Sequence, residues 1–167
     1  TVAPDKFAWT DTPGLDMIPE GNIVGSLRGK SFRARTVRLR QDNQQTVLEI
    51  SDAAVDTPTG VLTDDTGVEL RFTLPPGRSG ELVIGMRDPR DLDQQQAYYY
   101  YPQGGNKGPR SVNPAWACAL QISQWTLQPN PEDPDLLGRA KGKVAITFDD
   151  EAKSWVAGSF DCVYYKW

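Results

Sequence analysis

The sequence predicts an all-β domain: an antiparallel β-sandwich of about nine strands, with a β-barrel as the alternative closure. Three observations carry that expectation. Apolar residues recur at every second position along most of the chain, the period of a half-buried strand. The 15 glycines and 13 prolines among 167 residues interrupt the chain often enough to keep its elements short. No stretch carries the 3.6-residue period of an amphipathic helix.

Residues 1–21 hold Pro4, Pro13, Gly14, Pro19 and Gly21 among scattered apolar points such as Phe7, Trp9 and Ile18. They read as an irregular lead-in to one domain spanning 22–167. A first strand ends at Leu27, a tight turn falls at Arg28-Gly29, and a second strand carries Phe32 and Ala34. Val37 and Leu39 have the opposite parity, so a bulge is expected near Arg35-Thr36. Leu48 and Ile50 mark the next strand. Val68, Leu70, Phe72 and Leu74 alternate with Glu69, Arg71 and Thr73, and Leu82, Ile84 and Met86 follow after a Pro-Pro-Gly turn. These two runs are expected to form a hairpin. Tyr98, Tyr99, Tyr100 and Tyr101 fit one further strand, and residues 102–114 form a loop. In residues 115–127, Trp116, Cys118, Leu120 and Ile122 share a face that Trp125 and Leu127 do not, which places a second irregularity near Ser123-Gln124. Residues 138–167 close the chain with the largest hairpin: Val144, Ile146 and Phe148 on one arm, Val156, Phe160, Cys162 and Tyr164 on the other, around a charged turn.

Composition excludes several functions. There is no histidine, which rules out Ser-His-Asp and Cys-His catalysis. Two cysteines without a CxxC spacing and without histidine make no zinc site, and the residues imply no cofactor. The formal charge of -4 supplies no overall basic field for nucleic acid. No apolar run approaches the roughly 18 residues of a membrane helix. Thr1 is not an initiating residue, so the chain reads as a fragment or processed form, with room for a signal peptide or lipid anchor upstream.

The stretch from Gly25 to Phe32, Gly-x-Leu-x-Gly-x-x-Phe, and the closing Ser-Trp-Val-Ala-Gly-Ser-Phe at 154–160 resemble the two ends of β-rich bacterial envelope or secreted domains of uncharacterised function. The resemblance covers about a third of the chain. It implies an all-β fold and an exported protein, and it implies no activity. Cys118 and Cys162 both have inward parity, so in an oxidising compartment they are expected to form a disulfide, with Cα atoms roughly 4.4–6.8 Å apart.

The function these features suggest is a non-catalytic binding or structural module of a secreted, periplasmic or envelope-attached protein, with a carbohydrate or protein ligand. The expected ligand-binding residues are Tyr98, Tyr99, Tyr100 and Tyr101, whose second pair must leave the core, together with Asn106, Lys107 and Arg110 of the following loop and Trp116. One alternative is a carboxylate-dependent glycan hydrolase, drawing on acids such as Asp64, Asp88, Asp91, Asp93, Asp149 and Asp150; another is a purely structural envelope domain. A run of six basic residues, Arg28, Lys30, Arg33, Arg35, Arg38 and Arg40, contains no acid. It reads either as a docking stripe for an anionic partner or as a solvated strand face opposite Glu49, Glu69 and Glu81.

Overall fold

The structure, a computed structural model, describes residues 5–42, 45–55, 68–74, 82–84, 97–102, 110–128 and 130–166. It describes only the backbone at 42, 45, 82–84, 97–102 and 110–114. The strands are β1 (Val24–Leu27), β2 (Lys30–Arg33), β3 (Thr36–Asp42), β4 (Gln45–Ser51), β5 (Glu69–Leu74), β6 (Leu82–Ile84), β7 (Ala97–Pro102), β8 (Arg110–Pro114), β9 (Ala117–Leu127), β10 (Leu136–Thr147) and β11 (Trp155–Lys166). One 3-10 turn, Leu15–Met17, is the only helical element among the described residues. The all-β class stands. All strands belong to one mixed sheet with the order β6-β9-β10-β11-β3-β4-β5-β7-β8, and its two ends do not join, so it is not a barrel. Side chains from β3, β4 and β5 and from β9, β10 and β11 share one apolar core, which includes Leu39, Leu48, Ile50, Phe72, Leu120, Ile122, Val144 and Phe160.

The β10–β11 hairpin pairs from Thr147↔Trp155 to Leu136↔Tyr165, as the alternation at its two arms predicts. Its turn is held by side chains. Asp150 accepts hydrogen bonds from the Ser154 amide at 2.7 Å and from the Ser154 hydroxyl, and Lys153 takes a left-handed φ of 53°. Acids in this turn therefore serve chain reversal.

The second edge of β11 is divided. Its start pairs antiparallel with β1, at Trp155, Val156 and Ala157. Its end pairs parallel with β3, from Val163↔Arg38 to Lys166↔Gln41. The parallel pair follows from the hairpin before it. Because β1 opposes β11, β2 runs with β11; at Ala34-Arg35 the chain steps inward by one strand and continues as β3. The step is bonded on both sides, by Ala34 N–H to Ile23 O at 3.0 Å and Arg35 N–H to Ser51 O at 2.8 Å. This is the phase switch expected near Arg35-Thr36, made by a change of sheet position. The irregularity expected near Ser123-Gln124 is also present, as a register shift where Gly142 pairs with Ile122 and Lys141 with Gln124. Gly158 lies where β11 changes partner. A Cβ there would come within 2.6 Å of Asn22 O and Ile23 Cα, so the incoming chain leaves room for glycine alone.

Residues 5–21 hold no strand, only the Leu15–Met17 turn, and they pack on the sheet. Ala119, Ala145 and Ala157 lie side by side across β9, β10 and β11, all buried. Their small side chains admit Phe7 and Ile18, which pack on this row with Leu15 and Trp155. The Phe7 ring packs tilted against Trp155, centroids 5.2 Å apart; Trp9 donates its indole N–H to Phe148 O at 3.1 Å, under the Lys153 ammonium. The lead-in thus covers the alanine row at one end of the outer face of β9, β10 and β11.

Two expectations are corrected. β6 does not pair with β5. Both edges of β5 are occupied, by β4 and β7, and β6 joins β9 instead, through Leu82↔Ile122 and Ile84↔Leu120. The expected disulfide is absent: Cys118 and Cys162 are buried and not bonded to each other. They lie on strands flanking β10, opposite Ile146 and Ala140 respectively. Two strand spacings, about 10 Å, and six residues along β10, about 20 Å, separate them, beyond any bridge. Burial pushes the Cys162 thiol up to about 12. Two thiols should therefore titrate after denaturation, both reacting slowly in the native protein; a native protein with no titratable thiol after unfolding would contradict this arrangement.

The alanine row yields a second test. Ala145→Leu places extra volume under Phe7 and Ile18 and should destabilise by about 1–3 kcal/mol in urea unfolding, with faster proteolysis within residues 5–21. A variant as stable as the parent would mean that the lead-in does not bear on this row.

Candidate functional site

Four places in the chain can be compared by geometry. The first is the expected Tyr98–Trp116 region. β7 and β8 pair, so part of the expected loop is strand. The register sets Tyr98 opposite Arg71, Tyr99 opposite Leu70 and Tyr100 opposite Glu69. Tyr101 pairs with Ser111, and Arg110 with Pro102. Asn106 and Lys107 lie outside the described residues, as do Asp64, Asp88, Asp91 and Asp93. Trp116 is half-buried at the β8–β9 corner, where its amide bonds to Thr147 O.

The second place is a charged network on the other face of β3, β4 and β5 from the apolar core. Arg38, Glu49 and Arg71 stand in one row across the three strands. Arg38 Nε donates to Glu49 Oε1 at 2.6 Å, Arg40 Nη1 lies 3.4 Å from Glu49 Oε2, and Arg71 Nε donates to Glu69 Oε1 at 2.9 Å. Side-chain exposure is only 3% for Arg38 and 2% for Glu49. Removing one member of such a buried pair typically costs about 3–5 kcal/mol, because the other charge stays buried. Of Arg33, Arg35, Arg38 and Arg40, all expected to face outward, Arg38 and Arg40 are therefore interior, and Glu49 is their carboxylate. Glu49 interrupts an otherwise apolar run, Val47-Leu48-Glu49-Ile50, which is the sequence signal for this network.

Tyr165 completes the network and was not expected there. The Arg38 guanidinium sits 5.0 Å from its ring centroid. Its hydroxyl is buried and has no hydrogen-bond partner. Burial, and then the Glu49 carboxylate, push the phenol up to about 12, against the opposing pull of Arg38 and Arg40.

The third place is an open groove of about 100 Å³ on the outer face of β9, β10 and β11, lined by Gln124, Thr126, Gln128, Arg139, Lys141 and Asp161. Small-molecule sites usually run to about 300–1,000 Å³. Its charges also answer one another, since Asp161 takes both Arg139 at 3.1 Å and Lys141 at 3.9 Å. The groove is too small and too self-compensated to define a ligand site.

The fourth place is the β1–β2 hairpin. Its two-residue turn uses left-handed backbone at Arg28, φ 53°, and Gly29, φ 79°, the geometry that matches strand twist. Arg28 N–H is fixed by the Ser154 hydroxyl at 2.9 Å, which ties this turn to that of β10–β11. Phe32 is buried and anchors the hairpin, while Arg28, Lys30, Ser31, Arg33 and Arg35 are exposed. Among the described strands β2 pairs with β1 alone. Lys30, Arg33 and Arg35 make no ion pair among the described residues, and no acid occurs anywhere in 21–41.

Among the described residues there is no cluster of three potential metal ligands, and no helix is long and apolar enough to cross a membrane. No protein-family model, curated protein or solved structure matches this chain.

Tyr165 carries a test of the network. An unfolded chain gives up this proton near 10, whereas the folded one holds it to about 12. Between those values the unfolded state binds fewer protons, so stability falls as pH rises. Tyr165→Phe should flatten that fall in alkaline unfolding curves. At neutral pH it should leave stability unchanged or raise it by about 1 kcal/mol, since it removes an unsatisfied buried hydroxyl. A loss of several kcal/mol at neutral pH would show that the hydroxyl is bonded.

Proposed function

We propose that this chain is a non-catalytic binding domain of an exported protein and that it holds an anionic partner against the β1–β2 hairpin. One observation carries the reading: exposed Lys30, Arg33 and Arg35, with no carboxylate paired to them among the described residues, on a protein whose net charge is -4. An acidic protein has no general reason to retain a polyanion, so any retention must come from a local field. The same logic sets aside Arg38, Arg40 and Arg71, whose charges meet Glu49 and Glu69 inside the fold. Export rests on the resemblance at 25–32 and 154–160; the unbridged cysteines remove the support a disulfide would have lent. The ligand classes within this reading are an acidic carbohydrate and an acidic polypeptide.

The test is chromatography on a sulfated-glycan resin and on immobilised polyglutamate at low ionic strength. The parent protein should be retained on at least one and should elute as salt rises through the range where the Debye length shrinks below about 10 Å. The Lys30→Glu, Arg33→Glu, Arg35→Glu triple variant, unchanged in melting temperature, should flow through. A parent protein that flows through both resins would refute the reading.

A further inference from the structure

We infer that the partner is an acidic polypeptide segment in extended conformation, which joins the sheet as an added strand on the open edge of β2. This rests on the anionic-partner reading and specifies it. The charges alone would suit any polyanion; the backbone narrows the choice.

In a two-residue hairpin the residues flanking the turn, here Leu27 and Lys30, exchange both of their backbone bonds. Antiparallel pairing then alternates, so Phe32 bonds toward Gly25 while Ser31 and Arg33 direct their N–H and C=O groups away from β1. Among the described residues no strand lies on that side, and β2 pairs with β1. The edge thus offers two donors and two acceptors with the two-residue repeat that an extended peptide reads. The inward step at Ala34-Arg35 ends this edge and leaves Arg35 exposed at its far end, with Arg28 and Lys30 at the turn. A short bonding edge is therefore framed by cations at both ends.

Charge also decides which strand can bind. A second copy of β2 would set Lys30 and Arg33 against their own kind, and like charges directly opposite in a sheet are destabilising. A glycan would satisfy the cations but would leave the alternating backbone groups to water. Basic residues on an edge can also serve only to discourage pairing, and charge reversal separates the two roles. Glutamates would discourage pairing equally well, yet would lose an acidic partner.

The probe is an end-blocked, fluorescently labelled octapeptide of alternating Thr and Glu, titrated by anisotropy and followed by amide hydrogen exchange. The parent protein should bind it, and the exchange of the Ser31 and Arg33 amides should slow on binding; a sulfated oligosaccharide should not slow them. The Lys30→Glu, Arg33→Glu, Arg35→Glu variant, checked for an unchanged melting temperature, should bind at least about tenfold more weakly. Retention on the sulfated resin without any binding of the peptide would overturn the inference and leave the anionic-partner reading standing. Failure with both the peptide and the resins would remove both. Peptide binding without protection of Ser31 and Arg33 would reduce the contact to charge alone and sink strand addition. Concentration-dependent dimerisation that protects the same two amides would assign the edge to a second copy and overturn it as well.

Discussion

The outer edge of β11 is the constraint from which the rest of this structure follows. A twelve-residue strand buried in a sheet cannot leave its backbone groups unpaired. β10 satisfies one edge throughout. The other edge is longer than either strand that meets it, so β1 takes its start and β3 its end, in opposite directions. That division requires a short hairpin followed by an inward step. It also displaces β2 to the outside, where its second edge meets no strand among the described residues. The exposed basic edge is therefore a consequence of how the core pairs its hydrogen bonds.

The sheet has two outer regions and treats them differently. Over β9, β10 and β11 the surface is a row of alanines, and the lead-in lies on it through Phe7 and Ile18. Over β3, β4 and β5 the surface is charged yet buried, and the guanidiniums and carboxylates answer each other across strands. Such a network adds little net stability compared with apolar packing of the same volume, but it penalises errors. A one-residue slip of β4 would turn Glu49 into the apolar core and Leu48 out of it. The network thus opposes a slip of β4 against β3 and β5.

Much of this was legible in the sequence, and the boundary is physical. Alternation is a local property, so the β10–β11 arms, the inward faces of β4 and β5, and both phase switches could be read from their own residues. Partner choice is not local. Nothing in Leu82-Val83-Ile84 distinguishes pairing with β5 from pairing with β9; the occupied edges of β5 decide it. The cysteines show the same limit. Inward parity was right for both, but parity says nothing of distance along a neighbouring strand, and six residues of β10 separate them. The packing of residues 5–21 leaves no period in the sequence, because its partner is a row of small residues on three other strands.

The six basic residues make the sharpest case, because one run of sequence divides into two environments. Spacing treats Arg33, Arg35, Arg38 and Arg40 alike. The inward step at Ala34-Arg35 separates them: beyond it, Arg38 meets Glu49 directly across the ladder, and Arg40 reaches the same carboxylate. Before it, Lys30 and Arg33 sit on a strand that has, among the described residues, no neighbour on one side. A basic stripe is therefore neither a docking site nor a solvated face by virtue of its composition. What decides is whether an acid stands at the matching register on the next strand. For β3 it does; for β2 no next strand is present among the described residues, so its cations meet no carboxylate at a matching register there.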